Sequence, residues 1–179
     1  MNIFVLDYDI KKCAEYHCNS HVIKMVNEYC QILSTNIYLT TDYTIQAKDQ
    51  ELFYKLYPKC ETHTIKPTHQ NHPCTIWTRQ SKQNFEWLMR LLNELHKEWL
   101  FRYNHPKDKI HASYYKFIDG YVEPNLPDIG MTNFALAMPD KYKNKCAVKA
   151  YRDYYIGDKQ HLLKYKRREF PEWLSIIQN

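Results

Sequence analysis

His17, His21, Lys24 and Glu28 recur at the spacing of helix turns and carry the groups that proton-transfer chemistry needs. At 100° per residue they fall in a stripe roughly 60° wide, approximately opposite an apolar face of Val22, Val26, Tyr29, Leu33 and Ile37. If the helix begins only near Asn19 and Ser20, which can serve as an N-cap, His17 leaves the stripe while His21, Lys24 and Glu28 stay aligned. Out of water, a carboxylate and an amine one turn apart shift each other's pKa and can perform general acid/base or imine-forming work. In water the same residues are a surface ion pair beside solvated histidines. The enzymatic expectation therefore requires Glu28 to be shielded from solvent next to a cationic surface.

A second constellation runs from Thr68 through His69, Asn71, His72 and Cys74 to Arg79. Pro73 suits the first position of a helix, so this string places imidazoles, an amide and hydroxyls at a helix start. Free backbone N–H groups and the helix dipole favour an anion there. The expectation is that His72 and Arg79 hold a phosphate, the alternative being that Asn71 and His72 only cap and pack. Cys13, His17 and His21, with Cys18, His69, His72 or Cys74 as a fourth ligand, raise a zinc site, and His17, His21, His69 and His72 raise a metal-dependent nucleic-acid enzyme as an alternative. The paired Cys/His spacing of a finger or ribbon is absent, and no cofactor is called for.

Cations concentrate near the C-terminus. Ten basic residues lie between Lys141 and Arg168 against two acids, so this segment carries +8 in a chain of net charge +5. Tyr142, Tyr151, Tyr154, Tyr155 and Tyr165 are interleaved with them. Lysine and arginine neutralise phosphates while rings stack on bases, so DNA is the expected partner. Lys141, Tyr142, Lys143, Arg152, Tyr155, Lys164, Lys166 and Arg167, with Arg79, are the candidate contacts. A non-catalytic nucleic-acid or nucleotide-binding protein would share this composition.

These groups need a scaffold, and 179 residues suit one domain. Three scattered glycines exclude the Gly-rich phosphate loops, and G-x-S-x-G and H-E-x-x-H are missing, which removes elbow hydrolases and zincins. Apolar runs are short and no secretory pattern opens the chain, so an intracellular protein without membrane partner is expected, its six cysteines free thiols. The periodicity predicts a mainly α, single-domain helical bundle over 1–179 with a short N-terminal strand or extended arm (Asn2–Leu6) and long ordered loops. Helical spacing covers Ile10–Leu39 and runs from Pro73 to about Tyr103. Shorter helices are expected within Gln50–Tyr57, Lys107–Phe117, Cys146–Ile156 and Lys159–Tyr165, with a last turn after Pro171. The connector Asp119–Pro139 is expected to be ordered by packing or function.

The string Met1–Asp7, the motif His17-Cys18-x-x-His21-Val22-x-Lys24-Met25-x-x-Glu28, the Asn71-His72-Pro73 helix start and Ala150-Tyr151-Arg152-x-Tyr154-Tyr155 resemble small, mostly uncharacterised proteins of phages and large DNA viruses. If the chain is viral, that resemblance implies the cytoplasm of an infected cell. His21 and Glu28, seven apart, and the Asn-His-Pro helix start also resemble the pyrimidine-dimer DNA glycosylase family of the endonuclease V type. That resemblance implies a small, basic, helical enzyme that excises a damaged or modified base, with or without strand cleavage. Glu28 would be its catalytic carboxylate, His21 and Lys24 would tune it, and His72 would stand at the start of a long helix. In that family the nucleophile is the α-amine of a small residue exposed by methionine removal, whereas Asn2 is large for that step. The amine of Met1, Lys24, or an activated water then takes its place.

Overall fold

The computed structural model describes residues 1–41 and 65–177; the helix expected within Gln50–Tyr57, and Cys60, lie outside them. Among the described residues there are α-helices and 3₁₀ turns and no strand. The helices are α1 (Ile10–Tyr16), α2 (Asn19–Thr40), α3 (Pro73–Gln80), α4 (Lys82–Arg102), α5 (Ala112–Asp119) and α6 (Ala147–Asp158). α2 packs against α3, α4 and α5, α1 against α4, and α6 against three 3₁₀ turns at 140–142, 160–162 and 172–177. No helix among the described residues is long and apolar enough to cross a membrane.

The spans Ile10–Leu39 and Pro73–Tyr103 each fold as two helices, the first break falling beside the N-cap considered at Asn19 and Ser20. His17 is extended (φ −65°, ψ 134°) and ends α1, while Cys18 is the N-cap residue of α2. Asn19 ties this break to distant chain: its N–H donates to the Lys164 carbonyl (2.9 Å) and its Oδ1 accepts from Arg102 Nη1 (3.2 Å) and from the Lys166 N–H (2.8 Å). The second break falls at Ser81, whose extended backbone stops α3 and whose hydroxyl accepts from the Asn84 N–H to start α4. Asn84 then bridges the break, donating to the Trp77 carbonyl at 2.7 Å and accepting from the Thr132 N–H at 3.0 Å. The connector 120–139 is ordered against this point, the Lys82 N–H donating to the Pro127 carbonyl.

Residues 2–6 form a fully buried extended arm rather than a strand. Asn2 uses its whole amide: Nδ2 donates to the Ala137 carbonyl (2.7 Å), while Oδ1 accepts from the Ile3 N–H (2.9 Å) and from Tyr151 on α6 (3.0 Å). The Phe4 N–H donates to Tyr29 on α2 (3.3 Å). Arg152 of α6 closes the far end, donating to the Leu6 carbonyl (2.8 Å) and pairing with Asp7 (2.9 Å). The arm is thus a wedge between α2 and α6, with each buried polar atom of Asn2 satisfied. The described cysteines 13, 18, 30, 74 and 146 are free thiols, all buried but Cys146.

Candidate active site

The wedge covers His21 and Glu28 of the polar stripe of α2, while Lys24 stays exposed. Glu28 is 8% exposed and His21 5% exposed, against the solvent-facing position that the helical wheel alone would assign. Above them opens a cavity of about 400 Å³, with Met1, His21, Lys24, Glu28, Tyr154 and Lys159 in its wall. Two cations converge on the carboxylate: the α-amine of Met1 stands 3.6 Å from Glu28 Oε2, and Lys24 Nζ stands 3.3 Å from Oε1. They differ in environment, since the Lys24 side chain is 65% exposed whereas Met1 is half-buried against α3, where Thr75 Oγ1 approaches its sulfur. Lys159 adds a third cation at the rim, its ammonium 4.8 Å from the centre of the Tyr154 ring.

His21 lies flat on Phe4 (centroids 4.4 Å apart, planes at 16°), and its Nδ1 meets the Tyr155 hydroxyl at 2.5 Å. Burial, reinforced by the neighbouring His17, Lys159 and Lys24, pulls its pKa down to about 3, so the imidazole is neutral at pH 7. His17 is turned into the core by the break before α2, between the Cys13 carbonyl (2.7 Å) and the Tyr29 hydroxyl (3.2 Å), and burial lowers its pKa to about 4. It is therefore no part of the stripe.

His72 does not line the cavity. It caps α3, its Nδ1 accepting from the Cys74 N–H (3.2 Å), and its pKa is lowered by burial first and then by the Met1 amine and His69, with Glu28 opposing. It thus stands within electrostatic reach of the amine and the carboxylate. Arg79 donates to the Gln70 carbonyl (2.7 Å) and braces the turn that leads into α3, where His69 is in the left-handed region (φ 51°). Among the described residues no group of three histidine, cysteine or acidic side chains is placed to hold a metal ion.

A family model described as pyrimidine dimer DNA glycosylase matches residues 1–111. The chain belongs to that family. No curated protein and no solved structure matches it. Membership makes it a DNA glycosylase-like protein of base-excision repair, with DNA as its substrate. The matched stretch includes the arm, α2, α3 and α4, and it contains His21, Lys24, Glu28 and His72.

The chain beyond the matched stretch supplies the opposite wall of the cavity. Tyr154, Lys159 and Leu162 line it, and sequence reasoning missed all three. Their signal was available: on a helix, Tyr154 and Tyr155 point 100° apart, so one can face a cavity while the other faces the core. Tyr155 corrects the expectation of a base-stacking surface residue, because it is fully buried under the arm. Arg152 is likewise occupied by Leu6 and Asp7, and Arg167 donates to the Phe101 carbonyl and Asn104. Lys141 and Tyr142 both engage Asp158, and Lys143 pairs with Asp140 at an exposed site. Lys164 and Lys166 are exposed, the latter over the Tyr103 ring.

Proposed function

We propose that this glycosylase excises a pyrimidine dimer from DNA with the α-amine of Met1 as nucleophile and Glu28 as its proton acceptor. The observation that carries the reading is the 3.6 Å separation of that amine from a carboxylate only 8% exposed, inside a cavity wide enough to admit part of a nucleotide. The amine nitrogen forms a bond to C1′ as the glycosidic bond breaks, and the electron pair leaves with the base, which takes up a proton. Glu28 removes a proton from the attacking nitrogen and returns it to the ring oxygen as the sugar opens to an imine. The imine acidifies the C2′–H, so proton loss there expels the 3′ phosphate and nicks the strand.

Lys24 is the less suited amine. Its side chain is 65% exposed, whereas the Met1 side chain beside the carboxylate is buried. Lys24 and Lys159 instead keep the cavity rim cationic beside the phosphates, and Lys164 and Lys166 extend that field along the C-terminal segment. A damaged base is the easier one to unstack, because its stacking and pairing are already weakened.

Borohydride reduction during turnover on an oligonucleotide that carries one dimer tests the assignment. The expected result is a covalent protein–DNA adduct that peptide mapping places on the α-amine of Met1. An adduct on Lys24, or base release without any adduct, would overturn it, the second outcome leaving an activated water as nucleophile.

A further inference from the structure

Tyr155 lies outside the matched residues 1–111, on α6, and is fully buried. Its ring edge packs on Phe4 (5.2 Å, 74°) and on His21 (5.3 Å, 69°), so the imidazole is held by Phe4 on its face and by Tyr155 at its edge and at Nδ1. A neutral imidazole carries one N–H: one nitrogen donates and the other accepts. Among the described residues the Tyr155 hydroxyl has no hydrogen-bond partner besides His21. If Nδ1 held the proton and donated it to the phenol oxygen, the phenol O–H would be stranded in the core without an acceptor, which costs the desolvation of a polar group. If the phenol donates to Nδ1, both groups are satisfied.

We infer that Tyr155 is a positioning residue that donates its O–H to Nδ1 and fixes His21 as the Nε2–H tautomer, a hydrogen-bond donor presented to the cavity for an oxygen of the bound nucleotide. His17, four residues earlier, is fixed the other way. Its Nδ1 faces the Cys13 carbonyl, which can only accept, so its proton sits on Nδ1 and Nε2 accepts from Tyr29. A backbone carbonyl and a tyrosine thus set two buried imidazoles in opposite tautomers. In the cavity the division of labour follows: Glu28 accepts protons and His21 donates a hydrogen bond without giving its proton up. This division rests on the reading under Proposed function, whereas the tautomer assignment does not.

Imidazole ¹H–¹⁵N correlation spectra of the full chain at pH 7 decide the assignment without any substrate. His21 is expected to show the Nε2–H pattern and His17 the Nδ1–H pattern in the same spectrum; an Nδ1–H pattern for His21 would overturn the inference outright. In Tyr155→Phe the His21 pattern should move toward a mixture while His17 stays unchanged, and an unchanged His21 would also overturn it. On a dimer substrate, Tyr155→Phe should lower kcat about tenfold at constant KM, the scale of one neutral hydrogen bond. His21→Gln, whose amide N–H₂ can reach the Nε2 position, should keep more activity than His21→Asn, and adding Tyr155→Phe to it should cost nothing more. Additive losses would mean that the tyrosine does not act through His21. If the protein released no base at all, the enzymatic reading would fail while the spectra still settled the tautomer.

Discussion

The cavity under the N-terminal arm and the basic C-terminal segment are both rich in charge, but they use it differently. Around Glu28 the charges are few and converge: two amines within 4 Å of one buried carboxylate, and a third cation at the rim. Along 141–168 the charges are many and largely satisfied within the molecule. Arg152 clasps the arm, Lys149 pairs with Asp153, and Arg168 joins Glu15 and Glu98. Much of a segment whose composition suggests a DNA surface is therefore a clasp that holds the arm and the α1–α2 break in place. A charge run states how much field a segment carries, and the structure decides how much of that field faces outward.

The comparison breaks most visibly at Glu28. Glu28→Gln keeps the shape of the cavity and removes its proton acceptor, so base release should fall by about 10²-fold to 10⁴-fold while duplex affinity stays within roughly twofold. Single-turnover cleavage and equilibrium binding on the same dimer oligonucleotide measure both. A near-normal rate would remove the carboxylate from the reaction and leave the cavity without a chemical role.

In the clasp the largest effect should be on stability. Arg102 is fully buried and donates to Glu98 (2.6 Å), to the Glu15 carbonyl (2.7 Å) and to Asn19. Burial alone would raise the Glu98 carboxyl, but hydrogen bonds from Arg168 and Arg102 outweigh it and hold the group below its usual value. Arg102→Met leaves Glu98 buried with one partner fewer, which should cost about 3–5 kcal/mol. For a chain of this size that lowers the melting temperature by roughly 10 °C, and calorimetry reads it directly. A loss no larger than that of a surface substitution would mean that the break between α1 and α2 holds without the clasp.

How far the fold and the site were legible follows from the same contrast. Periodicity located α2, α4 and α6 because each buries an apolar stripe, and Pro73 marked the start of α3 by its missing N–H. It ran over Ser81 and offered the break after His17 only as an alternative, because the interruptions rest on a cap and on long-range hydrogen bonds to Pro127, Lys164 and Arg102 that no local pattern encodes. His21, Lys24 and Glu28 could be grouped because they share one helix face. Their burial could not be read, since it depends on an arm about twenty residues away in sequence and on tyrosines well over a hundred residues away. Tyr155 shows the limit: composition places a tyrosine among cations, but only the packing distinguishes a ring that could meet a base from one that fixes a histidine.

Acid should separate the two regions at intermediate strength. His17 and His21 are neutral in the folded protein, with pKa values of about 4 and about 3 against an unfolded value of 6.5. Between these limits the unfolded chain binds more protons, so stability is full above pH 6.5, falls as the pH drops and levels off below about pH 3. By pH 5 each imidazole should contribute a loss on the order of 2 kcal/mol. His21→Gln should remove its share of that slope. A melting temperature flat from pH 7 to pH 5 would contradict the burial of both rings.

The smallest effect, and the finest resolution of the comparison, lies among the lysines. Lys164 is exposed and has no ion-pair partner among the described residues, whereas Lys149, also exposed, is held by Asp153 at 2.6 Å. If the outward field of this segment meets DNA phosphates, Lys164→Ala should weaken duplex binding a few-fold, equally for damaged and undamaged DNA. It should also reduce the slope of log affinity against log salt by about 1. Lys149→Ala should change that slope by much less, because its charge is already neutralised and its substitution frees Asp153. Salt titrations of both variants supply the measurement. Equal slopes would mean that phosphates displace the internal partner, and that the clasp and the DNA surface are a single set of charges.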